Sequence, residues 1–457
     1  MKQSEFNAPL SAAAAESVEA STAEAKAKAR TANAILPGIP FLNSSWFKLL
    51  VALIVLLMAG DFIFGGIVPS FTTGKNDFSD PYVGSWLWAH GQNPYDSALV
   101  TATANRLTHS SLPVIPIYPL TTYLLIAPLS VLPWSWASLA WTLTSAAAIG
   151  LILWTLLQIA RFKATDPGAW LLAALVFGFA PLHRALHVEN AAIIAVAFCL
   201  LAVHLANNSG DLSAGLLLAI ATGLKPQLGF WILVFYLVQL RWRVVATGFF
   251  GFAALLIAAY ARIPLPLSTL LASYRDDLHY WFGPAGPNDF RAGNPLRFQL
   301  VNSQVIFWQW FHSATIANIV AHALFALGLA IWMWAVTRGR LRSPSLALTA
   351  LLALSFLSIY HSVTDVSMLI LGYCWVLGAS DGQLDVQLQR TKMYVFILLL
   401  GLSLPIHSFL MRLEPHLSQA ATASWWWTGI VAPSFIWNVV LLNLFLLVAM
   451  RRSVASA

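Results

Sequence analysis

The sequence predicts an all-α polytopic membrane protein with about twelve transmembrane helices, a re-entrant segment and two long external loops. Three observations predict it. The 457 residues include only 25 Lys+Arg and 18 Asp+Glu, 9 % charged, against roughly 25 % in an ordinary soluble domain. Apolar residues make up 59 % and the mean hydropathy is +0.72. This excludes a soluble enzyme, whose core needs a charged cover, and a disordered chain, which needs low hydrophobicity. Finally, about a dozen stretches reach or approach the ~20 apolar residues that a spanning helix requires.

Residues 1–45 are rich in Ala, Ser, Glu and Lys and have no apolar run ahead of a cleavage site. They are expected to form a disordered cytosolic tail, not a signal peptide. The membrane domain is expected over 46–450, followed by a short cytosolic tail, 451–457. Its apolar stretches are 46–64, 134–160, 170–182, 191–206, 214–224, 230–240, 244–259, 316–336, 346–359, 367–377, 394–410 and 427–450. A further run, 118–133, carries Pro119, Pro128 and Pro133. Those prolines break a straight span, so a re-entrant or broken helix on one side fits better.

The positive-inside rule tests that choice, because counting this run as a crossing would flip every later loop. If it does not cross, Lys2, Lys26, Lys28, Arg30, Lys48, Arg161, Lys163, Arg241, Arg243, Arg338, Arg340, Arg342, Arg390, Lys392, Arg451 and Arg452 share the cytosolic side, 16 of the 25 basic residues. Both termini are then cytosolic, and the net charge of +7 reports orientation, not nucleic-acid binding. The two long loops, 68–117 and 263–314, fall outside. Their length and their aromatic, Pro, Asn and Gly content predict short helices at the interface. Trp425, Trp426 and Trp427 read as an interfacial anchor.

Ionisable residues in or beside spans are functional candidates by default. They are Asp61, Asp77, Asp80, Arg184, His187, Glu189, Lys225, His361 and Asp365, with His279 more weakly, and all open towards the external side in this topology. Residues 211–240 form a long apolar run interrupted at Gly223-Leu224-Lys225-Pro226-Gln227. A lysine at such a break, just before a helix N-terminus, makes an anion site; the alternative is a lysine snorkelling to the interface. Asp77 can serve as a general base on a hydroxyl or, more blandly, as a turn or helix cap. His361 and Asp365 stand one helical turn apart, which suits packing as well as chemistry. Asp61 is expected to pair with a basic group inside the bundle. Cys199 and Cys374 cannot build a disulfide framework, and no spacing suggests a zinc site.

Asp77-Phe78, followed by Gly91-Gln92-Asn93-Pro94-Tyr95-Asp96, resembles the first external loop of glycosyltransferase family 87, the polyprenyl-phosphate-sugar-dependent membrane mannosyltransferases of GT-C architecture. Tyr118-Pro119 with Ala127-Pro128-Leu129 and Leu132-Pro133, Ala214-Gly215-Leu216 running into Leu224-Lys225-Pro226, Asn302-Ser303-Gln304, and Tyr360-His361 with Asp365 resemble further elements of that family in the right order. Where the family shows Gly-Gln-x-Asn, this chain has His187-Val188-Glu189-Asn190. The resemblance implies a GT-C bundle that transfers a sugar, mannose by family habit, from a polyprenyl-phosphate donor to a hydroxyl of a lipid or glycan acceptor, with inversion. It implies Asp77 as the catalytic base and Lys225 and His361 as binders of the donor phosphate. Tyr82, Tyr95, Tyr118, Asn190, Gln227, Asn302 and Asp365 are expected in the substrate pocket. No cofactor, metal or nucleic acid is called for. The expected location is the inner membrane, with the active site facing the periplasm. A transporter or flippase for a lipid-linked sugar or organic anion is the alternative, because a broken helix with a buried lysine is also a transporter device.

Overall fold

The computed structural model of the chain describes residues 44–68, 71, 77–108, 114–338, 343–378 and 386–455. The expected N-terminal tail, apart from its last two positions, lies outside the described residues, as do Lys75, Arg340, Arg342 and the end of the C-terminal tail. Among the described residues the regular elements are helices, joined by one isolated β-bridge between Leu300 and Ser362. A solvent without hydrogen-bond partners demands this, since a helix satisfies its own backbone.

Helix α1 (Ser45–Asp61) starts where the Ser44 hydroxyl accepts from the Phe47 N–H, and it runs on as a π-helical turn over Phe62–Ile67. The first long loop carries α2 (Ser79–Ala89) and α3 (Ser97–Thr108) and leads into the short α4 (Leu120–Ile126). Next come α5 (Trp134–Ala160), α6 (Pro167–Phe177), α7 (Ala180–His187), α8 (Ala192–Asn207), α9 (Asp211–Leu224), α10 (Pro226–Val238) and α11 (Trp242–Ala261). The second long loop holds α12 (Leu267–Phe282) and ends in α13 (Gln304–Phe311). The chain closes with α14 (Ala314–Arg338), α15 (Pro344–Ser355), a 3-10 helix Val363–Leu371 continuing into α16 (Gly372–Leu377), α17 (Val386–Ser403), α18 (Ile406–Leu413), α19 (Gln419–Ala423) and α20 (Ser434–Ala455). Pro167, Pro226 and Pro344 each open a helix, where their missing N–H has no intrahelical partner to lose.

Among the described residues, five helices are long and apolar enough to cross a bilayer: α1 with its π turn, α5, α11, α14 and α20. The bent pair α6 and α7 (44°), and α17 with Ser408–His416 (41°), raise the number to 7 if each is one span. The other apolar elements, Leu120–Leu129, α8, α9, α10, α15 and Val363–Leu377, are shorter than a bilayer. Their burial shows how such short helices are accommodated. Every residue of α15 from Leu346 onward is buried, and so is all of Val363–Leu377 but Val363, whereas α1 and α11 keep most of their surface outside the bundle. The short apolar helices α15 and Val363–Leu377 are thus enclosed by protein, while α1 and α11 lie at the edge of the bundle.

Two sequence features expected separately prove to be one local structure. At the α9–α10 break the chain folds back so tightly that a Cβ on Gly229 would lie 2.7 Å from the Thr222 backbone nitrogen. The break frees carbonyls at the end of α9, and the first turn of α4 takes them up. Thr121 Oγ1 and Thr122 Oγ1 each donate to the Gly223 carbonyl at 2.8 Å, and Thr122 also reaches the Leu224 carbonyl at 3.2 Å. The proline-rich run therefore stabilises the backbone break at which Lys225 leaves the helix. The tryptophan triplet divides: Trp425 and Trp426 are exposed, and Trp427 is buried.

Replacing Gly229 by Val should destabilise the fold by about 1–3 kcal/mol through overpacking against Thr222. Thermal unfolding in detergent should show a clear loss of melting temperature for Gly229→Val and none for Gly150→Ala, whose new methyl group meets nothing within 4 Å.

Candidate active site

Pro226 cannot continue the hydrogen-bond ladder of α9, so Lys225 becomes extended (φ −145°, ψ 93°) and its side chain leaves the helical path. The ammonium meets Asp365, with Nζ donating to Oδ1 at 2.6 Å and both side chains buried. A buried pair needs its remaining lone pairs filled. Ser362 N–H donates to Asp365 Oδ2 at 3.0 Å and Gln227 Nε2 to the same oxygen at 3.4 Å. Asp365 and Ser362 form a reciprocal capping box at the start of the 3-10 helix. His361 Nδ1 lies 3.5 Å from Asp365 Oδ2, and its Nε2 lies 3.2 Å from Ser355 Oγ. Its ring packs on Phe356 with centroids 4.1 Å apart and is fully enclosed. His361 and Asp365 do meet, although His361 precedes the helix and does not share a helical turn with Asp365.

Asp77 stands just before α2. Its N–H donates to the Val188 carbonyl at 2.9 Å, and Asn190 Nδ2 donates to its Oδ2 at 2.7 Å. Both partners come from the end of α7, where Glu189 adopts the left-handed conformation (φ 54°) and Asn190 N–H returns to the Ala185 carbonyl at 2.8 Å. This is the Schellman ending that glycine usually serves. The Asp77 side chain keeps solvent access, yet protein crowds around it. That burial raises its pKa above the usual aspartate value. The Asn190 hydrogen bond and the charges of Lys225 and Arg184 pull the other way, and Asp365 adds to the rise. The charge of Lys225 therefore reaches Asp77, and a proton acceptor and a cation share one neighbourhood.

One turn further on, Asp80 is buried, with Oδ2 accepting from Ile117 N–H at 3.1 Å and Oδ1 from Tyr123 O–H at 3.3 Å. Burial lifts its pKa to about 7. The segment it holds leads to Tyr118, which lies within electrostatic reach of Asp77, Asp80 and Asp365. The second long loop covers the same segment, because Trp281 Nε1 donates to the Ile115 carbonyl at 3.1 Å and Tyr274 O–H to the Ile117 carbonyl at 3.3 Å.

The structure thus brings together Asp77, Tyr118, Asn190, Lys225, Gln227, His361 and Asp365. It sets Tyr82, Tyr95 and Asn302 one step back, as supports. Tyr82 O–H donates to the Leu132 carbonyl at 2.8 Å, Tyr95 O–H to the Tyr118 carbonyl at 3.1 Å, and Asn302 Oδ1 accepts from Val305 N–H at 3.4 Å at the start of α13. Asp61 finds its basic partner in His183, whose Nε2 also bonds the Phe177 carbonyl at the α6–α7 bend, at 2.6 Å. His187 and His279 are exposed.

Sequence reasoning missed Ser138, Trp141 and Thr142 on α5. Ser138 and Thr142 hydroxyls donate to the buried Glu189 carboxylate, the closest contact being 2.7 Å. The available signal was a stripe of small polar residues, Ser138, Thr142 and Ser145, at helical spacing in an otherwise apolar span.

Removing Lys225 leaves the Asp365 carboxylate buried without its counter-ion, which costs about 3–5 kcal/mol. Lys225→Met should therefore lower the melting temperature strongly, and Lys225→Met with Asp365→Leu should restore much of it. Equal losses in the single and double variants would contradict a coupled pair. Asp80 binds its proton more tightly folded than unfolded, so its contribution to stability is present at pH 4 and is lost as pH rises towards 7. The difference in unfolding temperature between the native protein and Asp80→Asn should shift in favour of the variant over that window.

The family model of glycosyltransferase family 87 matches residues 117–359, just over half of the 457 residues. No curated protein and no solved structure matches the chain. The matched region contains Tyr118, Asn190, Lys225, Gln227 and Asn302. It begins after Asp77 and ends just before His361. With its set of apolar helices long enough to cross a bilayer, the chain is a membrane glycosyltransferase, and it belongs to glycosyltransferase family 87.

Proposed function

We propose that this enzyme transfers mannose from a polyprenyl-phosphate donor to a hydroxyl of a lipid or glycan acceptor, at the periplasmic face of the inner membrane, with inversion. The acceptor oxygen attacks the anomeric carbon and its proton passes to the Asp77 carboxylate. The bond from the anomeric carbon to the phosphate oxygen breaks, and polyprenyl phosphate leaves. A phosphate monoester is a good leaving group and needs no acid. Its developing charge is met by the Lys225 ammonium, with His361 behind it. Asp365 keeps that ammonium in place.

The carrying observation is that Lys225, at the α9–α10 break, is among the charges that act on Asp77, which precedes α2 and stays open to solvent. The raised pKa of Asp77 fits a base that must take a proton during the reaction. In the topology that goes with this reading, the chain crosses twelve times within 46–450, both termini are cytosolic, and 118–133 enters and returns on the external side. Three threonine hydrogen bonds to a broken helix support a segment that ends inside protein: Thr121 and Thr122 on the Gly223 carbonyl, and Thr122 on the Leu224 carbonyl. Membership of a transferase family favours catalysis over transport.

Asp77→Asn, purified in detergent and supplied with polyprenyl-phosphate mannose and a lipid extract as acceptor, should lose about 10²–10⁴-fold in turnover. It should keep the melting temperature of the native protein. Turnover near the native rate would overturn the assignment of the base.

A further inference from the structure

We propose that Trp141 and Glu189 are positioning residues that hold Asp77 and Asn190 in register, so that one face of α5 fixes the base from both sides. This rests on Asp77 being the base. Trp141 touches the immediate neighbours of both partners. Its indole N–H donates to the Glu189 carbonyl at 2.9 Å, next to Asn190. Its ring stacks on Phe78, next to Asp77, with centroids 4.8 Å apart and planes at 14°. Trp141 and Phe78 are both buried, so neither contact competes with water.

Glu189 supplies the other half of the frame. Its backbone is left-handed, where glycine would serve the turn alone, yet it carries a buried carboxylate. That carboxylate accepts from Ser138 Oγ at 2.7 and 3.0 Å and from Thr142 Oγ1 at 3.2 Å, two hydroxyls one turn apart on α5. The turn is thereby pinned to the same helix face that carries Trp141. Its following residue, Asn190, is pinned twice more, by Ala192 N–H on Oδ1 at 2.9 Å and by Asp77 itself on the amide nitrogen. Loosening the frame should let the Asn190 amide leave Asp77, and with it the hydrogen bond that favours the ionised carboxylate.

Asp77 is solvent-accessible, so its protonated fraction can be read without substrate. The purified full-length protein in detergent is treated with a water-soluble carbodiimide and glycine ethyl ester across a pH series, and labelling at Asp77 is measured by peptide mass. Asn190→Leu should move the labelling midpoint upward by about one pH unit, the loss of a charge-assisted hydrogen bond. Trp141→Phe, which keeps the stack and loses the N–H, and Glu189→Gln, which keeps the shape, should each move it upward by less. Should Trp141→Phe not fold, Glu189→Gln carries the test. A midpoint unmoved in these variants, with only the melting temperature lowered, overturns the positioning role. If Asp77→Asn is inactive while the midpoints coincide, the positioning role alone falls; if Asp77→Asn still turns over, the base reading falls and takes this inference with it.

Discussion

The Lys225–Asp365 ion pair joins residues 140 apart in sequence, and it decides how two regions of the bundle meet. An ammonium and a carboxylate taken out of water each lose several kcal/mol of hydration, which their attraction offsets only when the remaining hydrogen bonds are made. Asp365 makes them through Ser362 N–H, Gln227 and the contact with His361. The loop before the 3-10 helix is fixed in turn by the start of α13: Val301 N–H donates to the His361 carbonyl at 2.9 Å, and Gln304 Nε2 to the Ser358 carbonyl at 2.9 Å. One charge pair therefore links the helix break, the late polar loop and the end of the second long loop.

The broken helix creates the position from which Lys225 can act, and it would be unstable alone. Unwound backbone at membrane depth requires partners, and α4 brings two threonines to the freed carbonyls. The proline-rich run and the lysine break are thus a single device. The same economy holds around Asp77, where the end of α7 supplies a backbone acceptor and an amide donor within three residues, Val188 and Asn190.

Much of this was legible in the sequence because the signals are strong at membrane depth. Scarcity of charge gives the class, proline places the break at Lys225, and each intramembrane ionisable residue stands out against an apolar background. The pairing of Lys225 with Asp365 was not legible, since periodicity within one helix says nothing about which distant loop faces it. His361 meets Asp365 from the loop just before the Ser362–Asp365 capping box and not from a shared helix face, a distinction that needs the backbone. Tyr82, Tyr95 and Asn302 stand in or beside the motifs that resemble the family and are expected in the pocket on that ground; here their polar atoms are spent on backbone partners. Trp141 was invisible for the opposite reason: one Trp among 20 in an apolar chain carries no mark of its indole N–H partner. The number of crossings is the least legible quantity, because half-length buried helices and full-length outer ones share the same composition.

The proposed reaction is a single displacement at the anomeric carbon, in which Asp77 takes the acceptor proton and Lys225 receives the leaving phosphate. The most direct measurement is the anomeric configuration of the newly formed mannosyl bond, read by NMR against that of the polyprenyl-phosphate donor. The account predicts the opposite configuration in product and donor. Retention of configuration would require a second displacement through a covalent intermediate, and it would contradict the account.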